Sequence, residues 1–250
     1  MQKADFLIVG GSTAGTTAAE VIRGLNPDAT IFIVTEENHE QYSRVLIPHF
    51  IRHKTAREQV FLKKPEWYSG KNINLLKGLR AIKLDTSSKT VEFSNGEQIN
   101  YGKLLIAVGG DVIKSDVPGS DLENILYMRT IENAEKIIEV AGKSKSAVII
   151  GGGFIGMEFS SCFKVNGIED ITVLVREPYY WASKLDEDSS KVLVSILENN
   201  GVKVLCEEEV DHFSGEGRVS GVKTKSGKEF NCEVVGVGIG IKSKFDWLEG

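Results

Sequence analysis

Two short glycine clusters carry the residues whose type and spacing could do chemistry. Residues 151–156 read GGGFIG, and residues 10–15 read GGSTAG, with Ser12 where the second cluster has Gly153. Each cluster directly follows an apolar run and opens an amphipathic stretch. A helix start offers unpaired N–H groups and a positive dipole end, and glycine lets a phosphate come close. We therefore predict dinucleotide phosphate sites at both clusters, carried by Gly10, Ser12, Gly15, Gly151, Gly153 and Gly156.

An acidic residue follows each cluster at the spacing of a ribose-binding carboxylate. Glu36 stands 21 residues after Gly15, and Glu177 stands 21 residues after Gly156. A carboxylate there can accept both hydroxyls of an adenosine ribose. The first site is purely acidic and suits a free ribose, whereas Arg176 beside Glu177 could pair with a 2′-phosphate. The second site stays open between NAD and NADP, with NAD slightly favoured, and solvated strand-end acids are the alternative for either carboxylate alone.

The elements that position these residues form one repeated unit. Residues 6–37 superpose without a gap on residues 147–178, and each copy reads as strand, glycine turn, helix and strand. Each half continues into a hairpin with a turn at Asn95-Gly96 or Ser226-Gly227. The sequence therefore predicts an α/β fold of two Rossmann-like, three-layer nucleotide-binding domains, each with a small antiparallel β-meander.

The predicted first domain covers 1–112 and the second covers 113–241. Two further helices are predicted, one over Ile131–Val140 and one over Asp186–Asn199 with an acidic cap. The second of these carries an apolar face made of Val192, Leu193, Ile196 and Leu197.

Composition narrows the function classes. The 250 residues include 30 Lys and Arg against 35 Asp and Glu, a net charge of -5, which argues against nucleic-acid or anionic-membrane partners. No apolar run is long enough to span a bilayer, and the first residues lack a signal-peptide profile, so a cytoplasmic location is expected. The three cysteines form no CxxC or CxxxxC pair, and the histidines have no metal-ligand spacing, so no metal is expected.

With the segments Tyr42–Pro48, Tyr101–Gly110 and Val117–Gly119, the two motifs resemble the pyridine nucleotide-disulfide oxidoreductase family. The resemblance is to its branch of rubredoxin and ferredoxin reductases and the flavin portion of NADH-dependent nitrite reductase. It implies that the first domain binds FAD and the second binds NAD(P)H. Hydride would pass from nicotinamide to flavin, and electrons would leave to a separate acceptor.

Carried over by position, the resemblance assigns a role to each site residue. The ADP half of FAD would be held by Gly10, Ser12, Gly15, Glu36 and Glu37. Arg44 would lie toward the pyrophosphate and flavin, Ala81 would meet adenine through its backbone, and Ala107 and Gly109 would pass beside the cofactor. NAD(P)H would be framed by Gly151, Gly153, Phe154, Ile155 and Gly156. Glu158 matches a catalytic-site carboxylate near the flavin–nicotinamide contact, or else is a helix-start acid favoured by the dipole.

Two departures from the family pattern shape the expected function. Val45 stands where single-cysteine members carry their redox cysteine, and all three cysteines read as buried structural thiols. The implied acceptor is therefore not a disulfide but a small redox protein, an attached acceptor domain, oxygen or a quinone-like compound. The family's return to the FAD domain would begin at 242–250, so we expect a truncated chain with an exposed apolar edge, and a possible homodimer in the full-length form.

Two rival functions follow from the same residues. The chain could be a nucleotide-binding module that binds NAD(P)H but lacks FAD and catalysis. A single-domain NAD-dependent dehydrogenase is disfavoured, because it leaves the first glycine motif and its repeat unexplained.

Overall fold

The structure, a computed structural model, describes residues 2–243 and 245–248. The first half of the chain holds strands β1 (Gln2–Val9), β2 (Ile31–Val34), β3 (Ile73–Leu76), β4 (Ala81–Asp85), β5 (Thr90–Phe93), β6 (Gln98–Ile106) and β7 (Asp111–Val112), and helices α1 (Thr13–Leu25), α2 (Ile47–Ile51) and α3 (Pro65–Gly70). The second half holds strands β8 (Ile125–Tyr127), β9 (Ser146–Ile150), β10 (Asp170–Leu174), β11 (Val202–Leu205), β12 (Val210–Ser214), β13 (Gly221–Thr224), β14 (Glu229–Asn231), β15 (Val234–Val237) and β16 (Ile241–Lys242), and helices α4 (Ile131–Ala141), α5 (Phe154–Val165) and α6 (Glu187–Asn199). Short 3-10 turns cover Arg44–Leu46, Arg57–Val60 and Asp246–Leu248.

The chain divides into two compact units. Unit 1 comprises residues up to Ser43, residues 57–111 and the described part of 242–250, whereas unit 2 comprises 44–56 and 112–241. The short stretch 44–56, which holds α2, therefore groups with the second unit, although the sequence places it inside a first domain of 1–112.

Unit 1 is built on one mixed sheet of six strands in the order β3-β2-β1-β6-β5-β4. The strands β3, β2, β1 and β6 run parallel, and β6, β5 and β4 form the predicted antiparallel meander. Along β1, Leu7 and Val9 pack into one apolar cluster and Ile8 into another, so both faces of the sheet are covered. This is why β1 reads as a continuous apolar run rather than an alternating one.

Trp247 is buried in one of the unit 1 clusters, together with Ala81 and Phe93. The last described turn of the chain thus packs beside β4. Leu105 and Ile106, at the end of β6, are partly exposed at 38% and 39%. Since β5 pairs only with the stretch from Gln98 to Asn100, the far end of β6 is an exposed apolar edge.

Unit 2 has a sheet of five parallel strands in the order β11-β10-β9-β15-β8, with β12, β13 and β14 forming a separate antiparallel sheet. A Cβ on Gly236 of β15 would lie 2.8 Å from the ring of Phe159, so α5 packs directly on the sheet there. Each unit thus has parallel strands, a glycine turn and an antiparallel meander, which confirms the predicted α/β fold class.

Both additional helices form where they are predicted. Thr130 caps α4 in a reciprocal capping box with Asn133, and Asp186 caps α6 by accepting a hydrogen bond from the Ser189 N–H. The predicted apolar face of α6 is only partly correct. Leu197 is buried, but Val192 and Ile196 are 62% and 53% exposed, because the helix turns only one side of that face to the sheet.

Within the described residues, no helix has both the length and the apolar character needed to cross a bilayer.

Candidate functional site

The first glycine turn joins the end of β1 to the start of α1. Gly10 has a φ of +119°, and its N–H donates to the Val34 carbonyl at 2.8 Å. A Cβ at Gly10 would lie 2.1 Å from the carbonyl oxygen of Ala107. Only glycine fits both the backbone conformation and this contact, which brings the chain after β6 against the turn.

The start of α1 sits directly on that turn. A Cβ at Gly15 would lie 1.9 Å from the carbonyl oxygen of Gly10. Ser12 is the N-cap of α1, yet its hydroxyl makes no capping hydrogen bond, so this oxygen is not committed to the helix start. The first backbone N–H groups of α1 thus emerge next to an uncommitted hydroxyl.

The second glycine turn repeats this geometry between β9 and α5. Gly151 has a φ of +114°, and its Cβ would lie 2.4 Å from the carbonyl oxygen of Gly238. A Cβ at Gly156 would lie 2.0 Å from the Gly151 oxygen. Gly153, the N-cap of α5, differs, because a Cβ there would meet no protein atom within 4 Å. The protein's own packing does not require glycine at 153, and the space in front of it is open.

The register of the strands corrects the gapless repeat. Phe6 pairs with Ile31 in unit 1, whereas its counterpart Ala147 pairs with Ile171, so the second unit is one residue shorter before its second strand. Val175 lies against Gly152 as Thr35 lies against Gly11. In space, Arg176 therefore corresponds to Glu36, and Glu177 corresponds to Glu37. The equal spacing of 21 residues does not reveal this shift, because an apolar strand follows the helix in both halves and only the second unit has the shorter connection.

The two acids of unit 1 differ in their surroundings. Glu36 is exposed two residues beyond the end of β2, whereas Glu37 is half-buried. The Tyr42 hydroxyl donates a hydrogen bond to the Glu37 carboxylate. Glu37 is thereby held by the protein, and Glu36 is the more exposed of the two carboxylates at the strand end.

The corresponding pair in unit 2 is an ion pair. The Arg176 guanidinium lies 3.0 Å from the Glu177 carboxylate, and both side chains are exposed. Arg176 is thus engaged with a carboxylate rather than standing alone as an anion site.

The remaining cofactor candidates lie in separate places. Ala81 is buried on the edge strand β4, while Ala107 and Gly109 follow β6, where the Ala107 N–H extends the pairing with Val9. Gly109 has a φ of +65°. Arg44 belongs to unit 2, where its guanidinium donates to the Arg129 carbonyl at 2.7 Å. The structure therefore brings Gly10, Gly15 and Ala107 together at one turn of unit 1. Arg44 and its backbone partner Arg129 both lie in unit 2.

Glu158 has a partner that sequence reasoning missed. Its carboxylate lies 2.5 Å from the guanidinium of Arg52, a side chain that is only 12% exposed. The same guanidinium also reaches the Ser161 hydroxyl at 3.3 Å, while its Nε is buried without a hydrogen-bond partner. Arg52 lies just after α2 and 106 residues from Glu158, so no local spacing could have indicated the pair.

Tyr180 is a second missed residue. It is fully buried, and its hydroxyl donates to the Gly153 carbonyl at 3.2 Å, which ties the loop after β10 to the glycine turn. Its neighbour Trp181 contacts Phe154, the residue after the turn. Ile155, in contrast, packs inward, since a Cβ on Gly238 would lie 2.9 Å from it.

The cysteines show no sign of a reactive thiol. Burial raises the pKa of Cys162 and of Cys232 to about 12, and burial with the nearby acids Glu207 and Glu177 raises the pKa of Cys206. Val45 is 80% exposed where a redox cysteine would stand in single-cysteine relatives. In the part of the chain that the structure describes, no three His, Cys, Asp or Glu side chains cluster as metal ligands.

Comparison with known proteins gives a consistent picture. The NAD(P)H nitrite reductase of Bacillus subtilis is 29% identical over 244 residues, which are 97% of this chain and 30% of that protein. The monodehydroascorbate reductase of Solanum lycopersicum is 32% identical over an alignment of 257 positions, which covers 95% of this chain and 59% of that protein. The solved structure of an NAD-dependent persulfide reductase from A. fulgidus superposes with a TM-score of 0.92 and 27% identity, covering 98% of this chain and 47% of that one.

This chain therefore spans less than two thirds of the length of these relatives. Residues 4–250 match a single family description, pyridine nucleotide-disulphide oxidoreductase. With its two glycine turns in place, the chain belongs to the pyridine nucleotide-disulphide oxidoreductase family.

Proposed function

We propose that this chain is the dinucleotide-binding part of a flavin-dependent NAD(P)H oxidoreductase. In this proposal, unit 1 holds the ADP half of FAD and unit 2 holds NAD(P)H. One observation carries it: both units fold a strand, a glycine turn and a helix so tightly that a Cβ at Gly15 or Gly156 would collide with backbone oxygen at about 2 Å. Such closeness leaves the helix start open to a pyrophosphate.

Unit 1 offers three kinds of contact to FAD. The N–H groups at the start of α1 and the uncommitted Ser12 hydroxyl can donate to phosphate oxygens. The exposed Glu36 can accept the ribose hydroxyls, and Glu37 is fixed beside it by Tyr42. The backbone of Ala81 would contact the adenine, and the backbone of Ala107 and Gly109 would lie beside the cofactor.

In unit 2, the contacts offered to NAD(P)H are the start of α5 and the strand-end pair of Arg176 and Glu177. The open space at Gly153 can accept a pyrophosphate, and the close backbone contacts of Gly151 and Gly156 form the turn beside it. The pairing of Arg176 with Glu177 favours NADH slightly, because a 2′-phosphate would have to compete with a carboxylate already in contact.

The reaction proposed is hydride transfer followed by electron release. When bound, FAD would supply that chemistry by accepting hydride from nicotinamide and passing electrons onward. The chain's own residues orient the two cofactors, and Glu158, held by Arg52, is assigned a place near the nicotinamide. Because the cysteines are not reactive thiols, we propose a non-disulfide acceptor such as a small redox protein or an attached acceptor domain. A homodimer of the full-length protein remains part of this proposal.

The rival function is a module that binds NAD(P)H without FAD or catalysis. The exposure of Leu105 and Ile106 favours it. These residues directly precede Ala107, so the apolar surface next to the proposed FAD site is partly open to solvent. The distinction is therefore whether the purified chain binds flavin.

Titration of the purified chain with FAD, NADH and NADPH separates these functions. Binding of FAD and reduction of the bound flavin by NADH under anaerobic conditions would support the oxidoreductase. Binding of NADH without any FAD after reconstitution would support the module instead.

The variant Gly153→Ala tests the second site without disturbing the fold. Its Cβ meets no protein atom and its φ of −121° suits alanine, so the melting temperature should change by only a few degrees. The NADH dissociation constant should rise at least about tenfold, because the methyl group fills the pyrophosphate space. Unchanged NADH affinity would remove Gly153 from the proposed site.

A further inference from the structure

Two aromatic rings meet beside the second glycine turn, one at the start of α5 and one in the loop that follows β10. Phe154 begins α5 and is 68% exposed, and its ring centroid lies 4.1 Å from that of the half-buried Trp181, with the planes at 71°. An edge-to-face pair at this distance is an attractive contact. An aromatic pair that is partly exposed beside the open space at Gly153 is typical of a surface that contacts a ligand.

This loop is fixed to the glycine turn rather than hanging free. Tyr180 is fully buried, and its hydroxyl donates to the Gly153 carbonyl at 3.2 Å. At the other end of the loop, the N–H groups of Lys184 and Leu185 donate to the Trp181 carbonyl at 2.9 and 3.1 Å. The position of the indole is therefore set by contacts on both sides of it.

Trp181 also has a strained backbone. Its φ is +58°, a left-handed conformation that a bulky side chain rarely adopts. Such a residue is energetically unfavourable and persists only where its surroundings hold it, often at a ligand site. The packing of Tyr180 and the Trp181 carbonyl contacts supply that constraint here.

The place of the loop in the chain indicates which part of a dinucleotide it meets. Trp181 follows Glu177, at the ribose end of the proposed site, by four residues, and it contacts Phe154 at the pyrophosphate end. The pair thus lies along the adenosine diphosphate half.

We infer that Trp181, backed by Phe154, stacks on the adenine ring of the dinucleotide bound to unit 2. This inference rests on the proposed NAD(P)H site and adds a residue to it. Stacking of a base on an aromatic ring accounts for about 1–3 kcal/mol in alanine substitutions, which is about five- to 150-fold in affinity. Phenylalanine can keep most of this contact, whereas alanine cannot.

The experiment measures calorimetric affinities of the wild-type chain and three variants for NAD⁺, ADP-ribose and nicotinamide mononucleotide. For Trp181→Ala we expect affinities for NAD⁺ and ADP-ribose about tenfold lower than wild type, and for Trp181→Phe affinities within about threefold. Trp67→Phe, in unit 1, is the matched control and should bind as wild type. Affinity for nicotinamide mononucleotide should be the same in all four proteins.

Indole fluorescence gives a second readout that a purely structural role would not produce. Excited at a wavelength that the nucleotides do not absorb, the wild type and Trp67→Phe should change emission on adding ADP-ribose, and Trp181→Phe should not. Thermal melts establish that each variant is folded before binding is compared.

The outcomes separate this inference from the function on which it rests. Wild-type affinity of Trp181→Ala for ADP-ribose, or a loss confined to nicotinamide mononucleotide, overturns adenine stacking while leaving the NAD(P)H site intact. Failure of the wild type to bind NAD⁺ or ADP-ribose overturns both. Binding of NAD⁺ by the wild type with weakened ADP-ribose binding by Trp181→Ala supports both.

Discussion

Replacing Gly15 by alanine tests the close approach of helix and strand in unit 1. The added Cβ would lie 1.9 Å from the Gly10 oxygen and 3.0 Å from a methyl of Ile8. Contacts under 3.0 Å essentially do not occur, so α1 or the turn must move by about 1.1 Å. The closest atom cannot rotate away, because it is a backbone carbonyl oxygen and the N–H of the same residue, Gly10, is hydrogen-bonded to the Val34 carbonyl.

The magnitude follows from two opposing effects. Forcing a methyl group into a packed site costs about 1–3 kcal/mol, and a clash with rigid backbone belongs at the upper end of that range. Alanine regains about 0.5–1 kcal/mol over glycine within a helix. A net loss of about 2 kcal/mol corresponds to a melting temperature lower by about 4–8 °C in a protein of 250 residues that unfolds as one unit.

Gly24 provides the matched control in the same helix. A Cβ at Gly24 would meet nothing within 4 Å, so Gly24→Ala should raise the melting temperature by about 1–3 °C through helix propensity alone. Thermal melts of both variants are the primary assay, and flavin absorbance after reconstitution is the second. We expect Gly15→Ala to lose any bound FAD. A Gly15→Ala protein that melts as high as Gly24→Ala would refute the close approach on which the first phosphate site depends.

Three further predictions concern unit 2. Hydrogen bonds from Lys228 and Ser226 hold the pKa of the buried Glu208 below its ordinary value, so its stabilising effect is complete above about pH 4.3 and is lost as the pH falls through the lowered pKa. Lys228→Met should therefore lower the melting temperature at pH 7, and its difference from wild type should shrink as the pH falls through the lowered pKa of Glu208. Lys225→Met, which breaks an exposed pair, should have little effect at any pH; a loss for Lys228→Met that does not change with pH would contradict this reasoning. Thr130→Ala should cost about 1 kcal/mol by removing the cap of α4 and Thr130→Ser should restore it, as measured by denaturant unfolding, and no difference between the two would argue against the capping box. Alkylation of the native protein at pH 8, followed by mass spectrometry, should modify Cys206 first and leave Cys162 and Cys232 until unfolding, and early loss of the Cys162 thiol would show that its raised pKa is wrong.

Much of the fold could be predicted because its signals are local. Each of these signals acts within one turn or one strand. Examples are the positive φ of Gly10 and Gly151, the Thr or Asp cap of a helix, and an apolar run of five residues. The same locality explains the one-residue error in the repeat. Spacing counts residues along the chain, whereas the strand register depends on which backbone groups pair. The register makes Glu177 the counterpart of Glu37 rather than of Glu36.

The sequence by itself determined the class of fold, the two glycine turns and the family. Only the tertiary structure decided which side chains meet. Arg52 and Glu158 are 106 residues apart, and Phe154 and Trp181 are brought together by a loop that Tyr180 ties to the turn. The burial of Leu197 beside the exposed Ile196 was decided the same way. The physical reason is that hydrophobic patterning and backbone conformation act over a few residues, while ion pairs, ring contacts and burial depend on the packing of distant segments.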